Sequence, residues 1–224
     1  MDSRKPVTYW EHEDFSVPYQ MGSQKHRVYI LNKLKELDVR TLLDVGCGTG
    51  PIFELITNQD DTFAPWDNII AYKGVDYSWR MIETCKKLFP YGEFAVGDAR
   101  HLDDPDSSWE AVLLMHCLDH LDDYQAAIKE AVRVSSKYIV ICLWRSFVTE
   151  GTRLNNRNTY GLTDTDGNLL PGKEPWQDTH LQDYSKEVLI KEFDKYGLID
   201  VDFQDGEEVN DPGRFNTVWV LKKP

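Results

Sequence analysis

Cysteine is scarce and spaced against metal or disulfide chemistry. Four Cys stand at 47, 85, 117 and 142, and no two are two residues apart. That excludes a Cys-x-x-Cys ribbon or redox motif. Each lies in an apolar or Gly-rich stretch, which reads as a reduced, buried thiol in a cytoplasmic protein. Long apolar runs are missing too. The longest are Ala111–Met115 and Tyr138–Trp144, far short of the about 20 residues of a membrane span. Met1–Pro6 has no apolar run behind it, so no signal peptide is expected. There is no Lys/Arg-rich run, no repeat and no low-complexity tract. Lys+Arg total 25 against 38 Asp+Glu, giving a net charge of −13 and a pI near 4.8. Such a surface repels phosphate backbones and argues against nucleic acid as a partner.

What is present suits one sizeable core. The chain has 224 residues, of which 41% are hydrophobic and 12% aromatic, so it is no disordered tail. Apolar strand-like runs alternate with helical periods. Val28, Leu31, Leu34 and Leu37 mark a helix over 24–37. Thr41–Val45 is a strand, and Pro51 opens a short helix. Tyr72–Val75 is a second strand, followed by a helix over 79–89 capped by Ser78. Glu93–Val96, Trp109–Met115 and Tyr138–Leu143 are further strands, with a helix over 122–134. Near-continuous apolar strands between helices predict a parallel sheet covered on both faces.

Residues 145–184 break this pattern with turn signals at Asp166-Gly167 and Pro171-Gly172. That stretch reads as an insertion covering a site. A helix capped by Ser185 follows, with Gly197 past its end. Ile199, Val201 and Phe203 alternate as a strand. Asn216–Leu221 is the last, predicting an antiparallel hairpin at the sheet edge.

The chemistry concentrates at strand ends. Asp44-Val45-Gly46-Cys47-Gly48-Thr49-Gly50 leads a strand into a glycine turn that opens a helix. Glycines let backbone approach a ligand closely. An acid two residues before Gly-x-Gly-x-Gly suits a cationic ligand end and repels a pyrophosphate. Asp76, ending the second strand, can accept from both hydroxyls of a ribose. Asp98, in Gly97-Asp98-Ala99, can take an adenine amino proton, while the Ala99 N–H meets a ring nitrogen.

These segments, with Gly74-Val75-Asp76-Tyr77-Ser78 and Leu114-Met115-His116-Cys117-Leu118-Asp119-His120-Leu121, resemble class I S-adenosylmethionine-dependent methyltransferases of the small-molecule type. The resemblance covers roughly residues 25–145 well and the remainder loosely. It implies an α/β, Rossmann-like, doubly wound seven-stranded sheet of order 3-2-1-4-5-7-6 with strand 7 antiparallel. It implies S-adenosylmethionine as cofactor. By position it implies cofactor contacts from Asp44, Gly46, Cys47, Gly48, Gly50, Asp76, Asp98, Ala99 and Met115. Tyr77 can stack on the adenine.

His116, Asp119 and His120, at i, i+3 and i+4, read as one helical turn at the edge of the site. His116 and His120 are the candidate general bases for a hydroxyl acceptor. In related quinone-biosynthesis enzymes this segment begins with an acid and is proposed to bind a divalent ion. His116 in that place argues against a metal. The expected organisation is one methyltransferase domain over 1–224. It comprises a lid over 1–23 carrying Tyr9, Trp10, Phe15 and Tyr19, and a cofactor core over 24–144. A substrate cap spans 145–184, and closing elements span 185–224. Trp144, Phe147, Trp176 and Tyr184 are placed near the substrate. The expected activity is methyl transfer to an O, N or S nucleophile of a small molecule, with no membrane partner. A methyltransferase-fold binding module without catalysis and an NAD-dependent oxidoreductase are the alternatives.

Overall fold

The computed structural model describes residues 24–57, 68–121, 123–143, 152–154, 182–204 and 217–224. The expected lid over 1–23 and most of the cap lie outside these residues, as do Trp144, Phe147 and Trp176. Along the chain run α1 (Gln24–Glu36), β1 (Thr41–Val45), α2 (Pro51–Thr57), β2 (Ala71–Asp76), α3 (Trp79–Leu88), β3 (Glu93–Val96) and β4 (Trp109–Met115). A 3-10 turn (Leu118–His120), α4 (Tyr124–Val134), β5 (Ser135–Leu143), β6 (Thr152–Leu154), β7 (Gln182–Tyr184), α5 (Lys186–Asp194), β8 (Ile199–Gln204) and β9 (Thr217–Lys222) follow.

Seven strands form one sheet in the order β3-β2-β1-β4-β5-β9-β8, and β6 and β7 pair as a separate ribbon. The five strands from β3 to β5 are parallel, and β9 runs antiparallel to both β5 and β8. This is the expected topology: β9 is the seventh strand of the sheet in sequence and β8 the sixth. The last strand is therefore an internal strand, and β8 alone forms that edge of the sheet.

Alternate side chains of each central strand serve opposite faces. Leu42, Leu113 and Val140 join Ile30, Leu31 and Leu34 of α1, Ile52 and Phe53 of α2, and Ile82 and Cys85 of α3. Leu43, Val112, Leu114 and Ile141 face Ile128 and Ala131 of α4, and Leu189 and Phe193 of α5. Burial on both faces explains why these strands read as continuous apolar runs. The caps form as the sequence predicts. The Ser78 side chain accepts from Met81 N, and that of Ser185 accepts from Val188 N.

β8 departs from the sequence reading. Ile199 and Val201 are exposed, because the pairing with β9 shifts register between Asp200 and Asp202. Phe203 alone of the three packs inward, its ring 4.8 Å from that of Trp219.

Parallel pairing brings the carboxyl ends of β1 to β4 to one edge, where open α/β sheets place their ligands. On the floor of that edge, Phe53, Tyr72, Phe89 and Phe94 pack ring on ring. Gly74 makes room for them. A Cβ there would stand 2.7 Å from the Phe94 ring and 2.9 Å from Cys47 Sγ. Gly74→Ala is expected to cost about 1–3 kcal/mol through overpacking. The midpoint of urea unfolding measures it, and an unshifted midpoint contradicts the tight contact.

Candidate cofactor site at the sheet edge

The turn after β1 is built on left-handed backbone. Gly46, Gly48 and Gly50 have φ of +80°, +56° and +83°, where a side chain costs about 1–2 kcal/mol at each position. The turn leans on the end of β2. Gly46 N and Cys47 N both donate to Val75 O, at 2.7 and 3.1 Å, and Gly50 N closes onto Cys47 O at 3.0 Å. A Cβ on Gly46 would meet Cys117 Cβ at 3.0 Å. Glycine here lets the β1 loop touch the segment after β4. Cys47 turns its own side chain into the core beside Gly74, so only its backbone faces the crevice edge.

Asp76 joins two loops. Its Oδ2 accepts from Gly48 N at 2.8 Å and its Oδ1 from Ser78 N at 2.9 Å. Burial pushes this carboxyl up, against the pull of those two N–H groups. One acceptor site on each oxygen remains. Val96 pairs with Asp76 in the sheet register, and it and Tyr77 are exposed beside it.

Asp44 is 1% exposed and accepts from the Tyr72 hydroxyl at 2.7 Å. Burial raises its pKa to about 7, while Tyr72 and the charge of Arg27 lower it and Asp76 raises it. Sequence reasoning missed Arg27. It stands four residues before Leu31 and seven before Leu34, on the apolar face of α1, and it is buried. A cation at helical spacing from a core stripe was the available signal.

Asp98 is clamped by Arg100 within its own loop, and Ala99 is buried. Met115, the last residue of β4, is buried opposite Cys142 of β5. Burial, and then the charges of Asp76, Asp119, Asp98 and Asp44, push the Cys117 thiol up. Burial, first of all, holds the thiols of Cys47, Cys117 and Cys142 above the ordinary range. Cys117 is half-buried rather than buried.

The expected helical turn carrying His116, Asp119 and His120 is corrected. His116 has φ +52°, and the 3-10 turn begins two residues later. The three side chains therefore do not share a helical face. His116 is tied to β5 by its N–H to Cys142 O at 2.7 Å, and its Nε2 lies 3.5 Å from Cys142 Sγ. His120 N donates to Cys117 O inside the turn. Asp119 is buried. Tyr184, at the end of β7, donates its hydroxyl to Leu118 O at 2.6 Å and packs edge-on against Tyr124. Among the described residues, no group of three or more His, Cys, Asp or Glu is placed to hold a metal ion.

Residues 43–139 match the family signature of a methyltransferase domain. The chain is 31% identical over 110 residues to ajmaline N-methyltransferase of Rauvolfia serpentina, covering 46% of this chain and 35% of that protein. It is 30% identical over 110 residues to demethylmenaquinone methyltransferase of Thermotoga maritima, covering 49% and 45%. Its fold superimposes on magnesium protoporphyrin IX methyltransferase of Synechocystis with bound S-adenosylhomocysteine. The TM-score is 0.61 at 14% identity, over 91% of this chain and 84% of that one. Over this core the chain is similar to S-adenosylmethionine-dependent methyltransferases.

The chain spans less than half the length of the curated relatives it matches. The family cofactor is S-adenosylmethionine, and the residues of the crevice fit it. Its methionine end is a zwitterion, and the chain carries a buried carboxyl at Asp44 and a buried guanidinium at Arg27 whose charge acts on it. Its ribose needs acceptors, and Asp76 retains them. Its adenine is flat and apolar, and Tyr77 and Val96 leave such a surface uncovered.

The raised Asp44 pKa has a measurable sign. An acid whose folded pKa lies above its unfolded value of about 3.9 favours the folded state below the unfolded pKa. That advantage is lost as pH rises through the folded pKa. Relative to Asp44→Asn, which cannot ionise, the wild-type protein should lose stability between pH about 4 and about 7. Above that range the difference levels off. Melting both proteins across this window measures the difference. A constant gap contradicts the buried, proton-holding Asp44.

Proposed function

We propose that this domain transfers the sulfonium methyl group of S-adenosylmethionine to a nucleophile on a small molecule. The observation that carries the reading is the Asp76 carboxylate, bonded to Gly48 N at 2.8 Å with acceptor capacity left for a ribose. In this reading Asp44 receives the α-amino group and Arg27 the carboxylate of the methionine end. The Gly46, Cys47, Gly48 and Gly50 backbone lines that end. Asp98 and Ala99 receive the adenine edge, Tyr77 its face, and the backbone near Met115 closes the floor.

The cofactor brings an activated methyl group on a good leaving group. What the chain contributes is alignment and exclusion of water. For a hydroxyl acceptor it also contributes a base. His116 is the better placed histidine: it follows β4 directly, half-buried, fixed by backbone to β5. His120 serves the 3-10 turn. The neutral thiols around the loop suit a site that must not alkylate itself, because the thiolate is the reactive form.

The acceptor is assigned to the small-molecule class. The two curated relatives bear names of that class, and the net charge of −13 opposes nucleic acid. The whole chain is read as one methyltransferase domain, with acceptor choice in 145–184, whose flanks pair as β6 and β7. Free thiols at all four cysteines support a cytoplasmic setting. Among the described residues, no helix is long and apolar enough to cross a membrane.

Asp76→Ala tests the cofactor reading. Hydrogen bonds to charged groups are worth about 1.5–3 kcal/mol, so affinity for S-adenosylhomocysteine should fall about tenfold to a hundredfold. Calorimetry reads this directly, and unchanged affinity removes Asp76 from the site. Production of S-adenosylhomocysteine with a panel of hydroxyl, amine and thiol acceptors separates an enzyme from a binding module. With a hydroxyl acceptor in hand, His116→Ala should lower turnover about 10²–10⁴-fold. Cofactor affinity should stay unchanged. A wild-type rate leaves alignment and desolvation as the whole contribution of the chain.

A further inference from the structure

Asp98 is the most firmly held carboxylate of the crevice. The chain turns back immediately after it: His101 N donates to Asp98 O at 2.9 Å, and Arg100 N donates to Asp98 Oδ1 at 2.9 Å. Arg100 then folds its guanidinium onto the same group. Nε lies 2.9 Å from Oδ1 and 3.2 Å from Oδ2, and Nη2 lies 2.8 Å from Oδ2.

A carboxylate offers about four acceptor sites. Arg100 N and Nε take both on Oδ1. Nη2 takes one on Oδ2, and the 3.2 Å contact is the long arm of a forked bond. One acceptor site on Oδ2 is left. The pair is partly exposed, at 21% for Arg100 and 24% for Asp98, and ion pairs of that kind add little stability. The clamp acts instead on the freedom and charge of the carboxylate. Burial pushes the Asp98 carboxyl up, but the Arg100 bonds and the charges of Arg100 and His101 outweigh it and hold it below the usual range. Asp98 can then accept a proton donor and cannot become one. Gly97 N donates to Asp76 O at 3.0 Å, so the loop of Asp98 stands beside that of Asp76 at the same sheet edge.

We propose that Arg100 is a specificity-positioning residue for the purine. By filling the other acceptor sites of Asp98, it leaves one fixed lone pair for a single N–H of an exocyclic 6-amino group. The ligand class is a 6-aminopurine nucleoside. The proposal rests on the reading of Asp98 as the adenine acceptor. A loose carboxylate must be ordered and desolvated when it takes up a donor, and ordering one side chain weakens binding by about twofold to tenfold. Arg100 does that ordering before the ligand arrives.

The test compares two ligands by calorimetry: S-adenosylhomocysteine, and its 6-deamino analogue with hydrogen in place of the amino group and N1 intact. Wild type should prefer the amino compound by about tenfold to a hundredfold. In Arg100→Met that preference should shrink by about threefold to tenfold, with affinity for the deamino analogue unchanged. A merely structural role would weaken both ligands alike and leave the ratio intact. Arg100→Lys keeps the charge and loses the fork, and its ratio should shrink as well. If Arg100→Met does not fold, that variant decides by the same ratio. A wild-type ratio in the Arg100 variants, with a ratio near one in Asp98→Ala, overturns the role of Arg100 and leaves Asp98 in place. Equal binding of both ligands by wild type, while Asp76→Ala still weakens both, removes Asp98 from the adenine and the proposal with it.

Discussion

The hydrogen bond from Gly48 N to Asp76 Oδ2 joins the two loops on which the crevice depends. It holds the β1 loop over the end of β2 in a conformation that ordinary residues resist. Three alternate glycines with positive φ remove that resistance. Val75 O fixes the near end of the loop by accepting two N–H groups, and Asp76 fixes its middle. The second Asp76 oxygen holds the start of α3 through Ser78 N. One carboxylate therefore sets the distance between the glycine turn and the helix that follows β2. A ligand bonding to the remaining acceptor sites meets a group that has already been oriented.

The same economy governs the other acids. Each is held by a donor of its own chain: Asp44 by Tyr72, Asp76 by two backbone amides, Asp98 by Arg100. Buried or half-buried carboxylates without such partners would take up protons and lose their use. The three are nonetheless tuned apart. Asp98 is held below the usual carboxylate range, while burial wins at Asp44 and carries it to about 7. Asp44 thus changes charge near neutrality at the place where the cationic end of the cofactor is assigned. The surrounding acids also act on the thiols, adding to burial in keeping Cys47 and Cys117 protonated.

Much of this was legible in the residues. The central strands are buried on both faces, so apolar runs marked them, and the acids and glycines at their ends marked the edge of the sheet. Ser78 and Ser185 marked helix starts by a purely local bond. Legibility failed where a distant partner decides the outcome. The alternation of Ile199, Val201 and Phe203 promised one buried face, but a register shift against β9 turned two of the three outward. The spacing of His116, Asp119 and His120 promised a helical face, but the backbone bond to Cys142 holds His116 in the left-handed region. Arg27 showed in the sequence only as a cation at helical spacing on an apolar stripe, and its relation to Asp44 depends on the packing of α1 against the sheet.

The segment after β4 links three parts of the fold. It touches three partners. His116 N is bonded to β5, Cys117 packs on Gly46 of the cofactor loop, and Leu118 O receives the Tyr184 hydroxyl from β7. Tyr184, expected near the substrate, is 2% exposed and packs edge-on against Tyr124. Its place in the ribbon gives it another consequence. β6 and β7 flank the stretch to which acceptor choice is assigned, and Tyr184 fastens that ribbon to the turn beside His116. The same turn also abuts the β1 loop, where a Cβ on Gly46 would stand 3.0 Å from Cys117 Cβ, so ribbon, turn and glycine loop are packed in series.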